Sequence, residues 1–144
     1  MLVFPSIEWF KEVQEIYNTD TNLHSGGGGA CDTTAGFKVG EKRYFIEFSG
    51  LKCSEIKESS EAELAQTDFI IEMPVSKWQE MIQDVQDHGK ASSNHTLNSL
   101  DLDIEEGIAQ SPQDDQYKQD LFYRYNQNFQ DFFNASSRVK TTFE

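Results

Sequence analysis

Thr67-Asp-Phe-Ile-Ile-Glu-Met-Pro-Val-Ser-Lys-Trp-Gln-Glu-Met-Ile-Gln-Asp-Val-Gln-Asp-His88 is the stretch on which the reading of this chain turns. Phe69 to Met73 is short, mostly apolar and bounded by Asp68 and Pro74, which predicts a strand buried on at least one face. Pro74 has no N–H to give a ladder, so the strand stops there. Ser76 stands three residues before Gln79, a capping-box spacing that opens a helix. Trp78, Met81, Ile82 and Val85 then recur at i, i+3, i+4 and i+7, one face of that helix, and Gly89 is its stop signal. The predicted strand–turn–helix joins a sheet to a helix whose apolar face needs a partner.

Upstream, Pro5 and Ser6 signal a helix start, and Trp9, Phe10, Val13, Ile16 and Tyr17 form an apolar stripe, predicting a helix over Ser6–Thr19. Ser25-Gly26-Gly27-Gly28-Gly29 has no strand before it and no Gly-Lys-Ser/Thr after it, so it reads as a connector and not as a phosphate loop. Ala30–Val39 and Lys42–Leu51 read as a hairpin around Gly40-Glu41, with Tyr44, Ile46 and Phe48 on one face. Cys53 to Lys57 reads as a short strand, and the Ser60…Glu63 spacing as a turn of helix.

Downstream, Leu97, Leu100, Leu102 and Ile104 alternate with polar residues and predict a strand over Leu97–Ile104. Asp114 or Asp115 caps a last helix, Gln116–Ser137, whose Tyr117, Leu121, Phe122, Tyr125, Phe129, Phe132 and Phe133 keep to one side. Val139 to Glu144 reads as a frayed tail. Helix, hairpin, strand, helix, strand, helix is an α+β plan with a mostly antiparallel sheet covered by helices. With no internal repeat or long linker, residues 1–144 read as a single domain.

The totals exclude several functions. A chain of 144 residues supports one real core, and 12% aromatic residues argue against disorder. A net charge of −13 argues against nucleic acid and against docking on anionic membrane, since both need cations. No apolar run approaches the ~20 residues that span a bilayer, so no stable membrane insertion is expected. The first residues lack a signal-peptide core, which gives a cytoplasmic reading in which Cys31 and Cys53 stay reduced.

The sequence carries no familiar catalytic pattern. His24, His88 and His95 have no zinc spacing, and there is no Cys-x-x-Cys or Gly-x-Ser-x-Gly. Asp101, Asp103, Glu105 and Glu106 lack the glycine and terminal glutamate of a calcium loop and read as a solvated strand end. No catalytic residue, metal or cofactor is assigned, and the expectation is a protein that is not an enzyme.

Asp68-Phe69-Ile70-Ile71-Glu72-Met73 followed by Val75-Ser76-Lys77-Trp78 resembles the sterol carrier protein type 2 family. The resemblance runs on through Leu97-Asn98-Ser99-Leu100 and Tyr125-Asn126-Gln127 to Phe132-Phe133, mainly over residues 67–140. It implies a sheet covered by helices with an apolar tunnel between them, binding or transferring a sterol, fatty acid or acyl lipid without covalent chemistry. The residues expected to line such a pocket are Trp78, Met81, Ile82 and Val85 with Phe122, Tyr125, Phe129, Phe132 and Phe133, Tyr125 offering a hydrogen bond to a head group. The family's glycine-rich run after the middle helix is replaced by a polar one, Lys90 to Leu100. Two alternatives stay open: an enzyme of the nuclear transport factor 2 and ketosteroid isomerase type, and a protein-interaction module in which the aromatic face meets a partner or forms a homodimer.

Overall fold

Alternating apolar residues build the sheet, and the β2–β3 hairpin is its centre. In the computed structural model, which describes residues 2–20, 31–50, 52–92, 94–104 and 107–143, β2 (Thr33–Val39) and β3 (Lys42–Ser49) pair antiparallel from Val39↔Lys42 to Thr33↔Phe48. Gly40 turns the chain at φ +63°, a left-handed value that glycine takes without Cβ strain. β4 (Lys52–Glu58) adds antiparallel to β3, β5 (Phe69–Glu72) lies parallel to β2, and β6 (Ala109–Gln110) is antiparallel to β5. The sheet order is β4-β3-β2-β5-β6, mostly antiparallel with one parallel pair.

One face of the sheet is apolar and fully covered: Ala35, Phe37, Val39, Tyr44, Ile46, Phe48, Phe69 and Ile71 are buried. Helices α1 (Ile7–Thr19), α3 (Val75–His88) and α5 (Gln116–Asn134) close this side, with Phe10, Trp78 and Phe129 all in ring contact with Phe37. Ser6 caps α1 by accepting from the Trp9 N–H, and Asp115 caps α5 by accepting from Lys118. The other face carries the short helix α2 (Glu61–Leu64), capped by Ser60 as its spacing predicts. Leu64 sits directly on Gly36: a Cβ there would lie 2.7 Å from Leu64 Cδ2. Around it, Glu61 bridges Lys38 and Arg43, and Lys57 bridges Glu55 and Glu63.

Four expectations are corrected. Leu97–Ile104 is not a strand; Leu97–Asp103 is helix α4. Thr96 caps it by accepting from the Ser99 N–H, and Leu97, Leu100 and Asp101 bury themselves at i, i+3 and i+4 while Leu102 points to solvent at 76% exposure. The strand beside β5 is instead β6, a little further along the chain. Ser76 does not cap α3: Pro74 holds the N-cap position, offers no side-chain bond, and its carbonyl accepts from Lys77 and Trp78. The last helix ends at Asn134 and tightens into a 3-10 helix over Ala135–Arg138. Finally, the tail is not frayed. β7 (Thr141–Phe143) pairs in parallel with β1 (Leu2–Phe4), held by Leu2 N–H to the Lys140 carbonyl and by the Trp9 indole donating to Thr141 Oγ1 at 3.0 Å. Gly26 to Gly29, His24, Glu105 and Glu106 lie outside the described residues.

Candidate functional site

The residues expected to line a pocket come together between the sheet and the helices. Phe129 on α5 stands over three strands, its ring centroid 6.1 Å from Phe37, 4.8 Å from Phe48 and 5.3 Å from Phe69. Phe133, one turn on, reaches Phe37 at 5.2 Å and Trp78 at 5.6 Å, which ties α5 to α3. Phe132 turns toward α1 and meets Tyr17 at 5.9 Å and Phe48 at 6.1 Å. Phe122 touches this layer through Phe69. Met81, Ile82 and Val85 are wholly buried in the same hydrophobic cluster. Tyr125 is different: it is half-buried at the rim, packed against the cluster, with the Arg124 guanidinium 5.4 Å from its ring.

These rings meet edge-to-face or tilted at the spacing that aromatic pairs favour, so the layer is packed with side chains. Trp78 is further fixed by donating its indole N–H to the Lys38 carbonyl of β2 at 3.0 Å. Trp9, Phe10 and Phe4 extend the layer past the predicted set, through Phe10–Phe37 and Phe4–Trp78. The α1 stripe signals the first two; nothing local to Phe4 signals its place.

Polar groups surround the layer. Ser136, in the 3-10 helix, has a buried Oγ with no hydrogen-bond partner, the one such side-chain atom among the described residues. A buried hydroxyl left unpaired is unfavourable, since it loses its hydrogen bonds to water without replacement. Gln130 is buried and spans two elements, accepting from the Leu97 N–H at 2.7 Å and donating to Asn134 Oδ1. Tyr17 has its phenol pKa pushed up by burial, with the Asp131 carboxylate adding to the rise and an Asn128 hydrogen bond opposing it. Cys31 and Cys53 are free buried thiols, each pushed up to about 12 by burial.

The remaining sequence candidates are structural in their contacts. Asp101, expected in a solvated strand end, is instead a buried clamp on α4, accepting from the Ile108 N–H through Oδ1 at 2.7 Å and from the Tyr123 hydroxyl through Oδ2 at 3.0 Å. Burial pushes the Asp84 carboxyl up, but the N–H and hydroxyl of Ser92, at 2.5 and 2.8 Å, outweigh it and hold the group low. His88 and His95 lie beside this carboxylate, with Nδ1 3.0 and 3.8 Å from its oxygens. Among the described residues, no group of three or more His, Cys, Asp and Glu is arranged to hold a metal ion, and no helix is long and apolar enough to cross a membrane.

Comparison with solved structures matches this arrangement to a crystal structure of sterol carrier protein 2. The TM-score is 0.60, and the match covers 94% of this chain and 98% of that one. The fold is that of sterol carrier protein 2. Sequence identity across the match is 13%, so the fold is shared while side chains are largely replaced. No family model matches the chain, and no curated protein matches it in sequence. The likeness to sterol carrier protein 2 spans both chains almost end to end, including the N-terminal half, where the sequence resemblance is loose.

Proposed function

We propose that this protein binds an apolar small molecule, such as a fatty acid, an acyl lipid or a sterol, and does so without covalent chemistry. The observation that carries the reading is the sterol carrier protein 2 fold, shared over 94% of the chain. The proposed lining is Trp78, Met81, Ile82, Val85, Phe122, Tyr125, Phe129, Phe132 and Phe133. Of these, only Tyr125 carries an ionisable group, which suits a ligand held by its shape and apolar surface. Since rings already occupy the layer, ligand entry displaces α5 from the sheet, and the ligand's own apolar surface then packs against the rings that have moved apart. The orphan hydroxyl of Ser136 is the proposed anchor for the ligand's polar end, with the Tyr125 phenol at the rim.

Native mass spectrometry of freshly purified protein, with solvent extraction of whatever it carries, tests the reading. A bound lipid mass, or saturable binding of a fluorescent fatty acid, is the expected result. Bare protein that ignores fatty-acid and sterol probes alike would defeat it. A second reading, a contact with a partner or a second copy, would use the exposed apolar side chains of Leu102 and Tyr117, which stand 76% and 69% exposed on α4 and α5. A dimer in light scattering that Leu102→Asp dissociates would support that alternative.

A further inference from the structure

The outer face of the sheet holds a trough that the aromatic layer does not use. Where β5 runs into α3, a groove of about 790 Å3 opens between Met73, Pro74, Val75, Ile104 and Ile108. A second hollow of about 350 Å3 lies against α2, beside Ala65, Ile70 and Pro112. Lys38, Glu72 and Gln110 line both, so the two hollows are the ends of one trough with a polar middle. Small-molecule sites commonly occupy ~300–1,000 Å3 and combine apolar walls with a few convergent polar groups.

The polar middle has an unusual charge arrangement. Lys38 and Glu72 are register partners in the parallel β2–β5 pair, so an ammonium and a carboxylate project side by side from neighbouring strands. They do not pair with each other. Lys38 Nζ reaches Glu61 Oε1 at 3.3 Å, with its side chain 20% exposed. Glu61 does not depend on that contact, because Arg43 holds the same oxygen through Nε at 2.7 Å and Nη2 at 2.6 Å. An ammonium has three donors, so Lys38 keeps capacity for a ligand. The Glu72 carboxylate has no hydrogen bond or ion pair with any described residue, while its backbone N–H is held by the Ile108 carbonyl.

A ligand head of one sign would meet both its opposite and its like here, so attraction and repulsion offset each other. A head carrying both signs satisfies each group. We infer that the trough binds a zwitterionic single-chain amphiphile: its acidic group on Lys38, its ammonium on Glu72, and its apolar chain along Met73, Val75, Ile104 and Ile108. This rests on the proposed function for the ligand's class and adds a head-group chemistry and a second place, outside the aromatic layer.

Calorimetric titration with three probes of one chain length tests it: dodecylphosphocholine, dodecyl methyl phosphate and dodecyltrimethylammonium, each below its micellar concentration. The parent should prefer the zwitterion about tenfold over either singly charged probe, the discrimination expected of one charge-assisted contact. Lys38→Met should move the preference to the cationic probe, and Glu72→Gln to the anionic one, with amide shifts mapping to Gly40, Gly107 and Ile108. Both side chains lie on the outer face, so the variants should fold, as circular dichroism would check. Equal affinity for the three heads, or variants that weaken all three alike, overturns the inference. So does free phosphocholine binding as well as the dodecyl probe, which would mean that the apolar walls contribute nothing. If a fluorescent fatty acid binds to the aromatic layer while dodecylphosphocholine shifts no amide of the trough, the proposed function stands and the trough site falls. If no probe of any kind binds, both fall.

Discussion

Single side chains here sit where small changes are felt. Gly36 lies beneath the Leu64 methyl groups, and a Cβ 2.7 Å from Leu64 Cδ2 would push that buried side chain out of its place. Gly36→Ala should therefore destabilise the protein by ~1–3 kcal/mol, the usual cost of overpacking, in urea unfolding. Ser136 should behave in the opposite way. Its Oγ has no partner among the described residues, so Ser136→Ala should leave the free protein as stable or more so, yet weaken a fatty-acid probe severalfold if that hydroxyl anchors the ligand. A loss of stability with unchanged probe binding would remove Ser136 from the site. The two cysteines set a pH limit. Burial raises each from an ordinary 9.0 to about 12, so the fold favours the neutral thiol. That contribution is full below about pH 9 and declines as pH rises towards 12, because the unfolded chain releases protons that the folded one keeps. Tyr17 is raised by burial and pulls the same way. The urea midpoint should fall between about pH 9 and about 10.5, less steeply in the Cys31→Ala/Cys53→Ala variant, and Ellman's reagent should react at about pH 8 only after unfolding.

At the scale of elements, legibility depends on where the determining contacts lie. α1, α3 and α5 are written in local periodicity, and the Phe37-to-Phe48 hairpin in turn chemistry and alternation, so both can be read. α4 misleads because Leu97, Leu100, Leu102 and Ile104 partly satisfy two periods at once. Thr96, capping Ser99, and the buried Asp101 decide for helix, and neither role shows in an apolar pattern. β6 is two residues long, and the Asp101 bond to Ile108 delivers it to β5 from a distance. The β1–β7 pair joins opposite ends of the chain and has no local signal at all. The candidate lining is legible as a stripe; that the stripe packs on itself and on Phe10, Phe37 and Phe48 is not. The edge of β4 shows a similar dependence on distant residues. Asn18 of α1 accepts from the Cys53 N–H at 2.8 Å and, with Gln14, donates to the Cys53 carbonyl at 2.9 Å. Helix side chains thus occupy ladder groups that would otherwise invite another strand. Asn18→Ala should cost ~1–3 kcal/mol through the N–H it leaves unpaired and should increase aggregation on mild heating, followed by light scattering.

For the molecule as a whole, the proposed function requires a filled layer to take up a ligand, and kinetics can test that requirement. Phe129 touches rings on three strands and is fully buried, so in the free protein Phe129→Ala should cost ~3–5 kcal/mol, the range for deleting a core phenylalanine. If the ligand lodges between α5 and the sheet, this packing must open first. Association then requires a conformational change and should be slower than the ~10^5–10^7 M−1 s−1 typical of specific docking. In stopped-flow mixing with a fluorescent fatty acid, the observed rate should level off at high probe concentration, at the rate of opening. Phe129→Ala weakens the closed layer and should raise that plateau, while added ligand should raise the melting temperature of parent and variant alike. A probe entering the trough over Lys38 and Glu72 meets a groove already formed. Its rate should rise linearly with concentration and ignore Phe129→Ala, but respond to Lys38→Met. A linear rate with no effect of Phe129→Ala would place uptake outside the aromatic layer and reduce that layer to plain core.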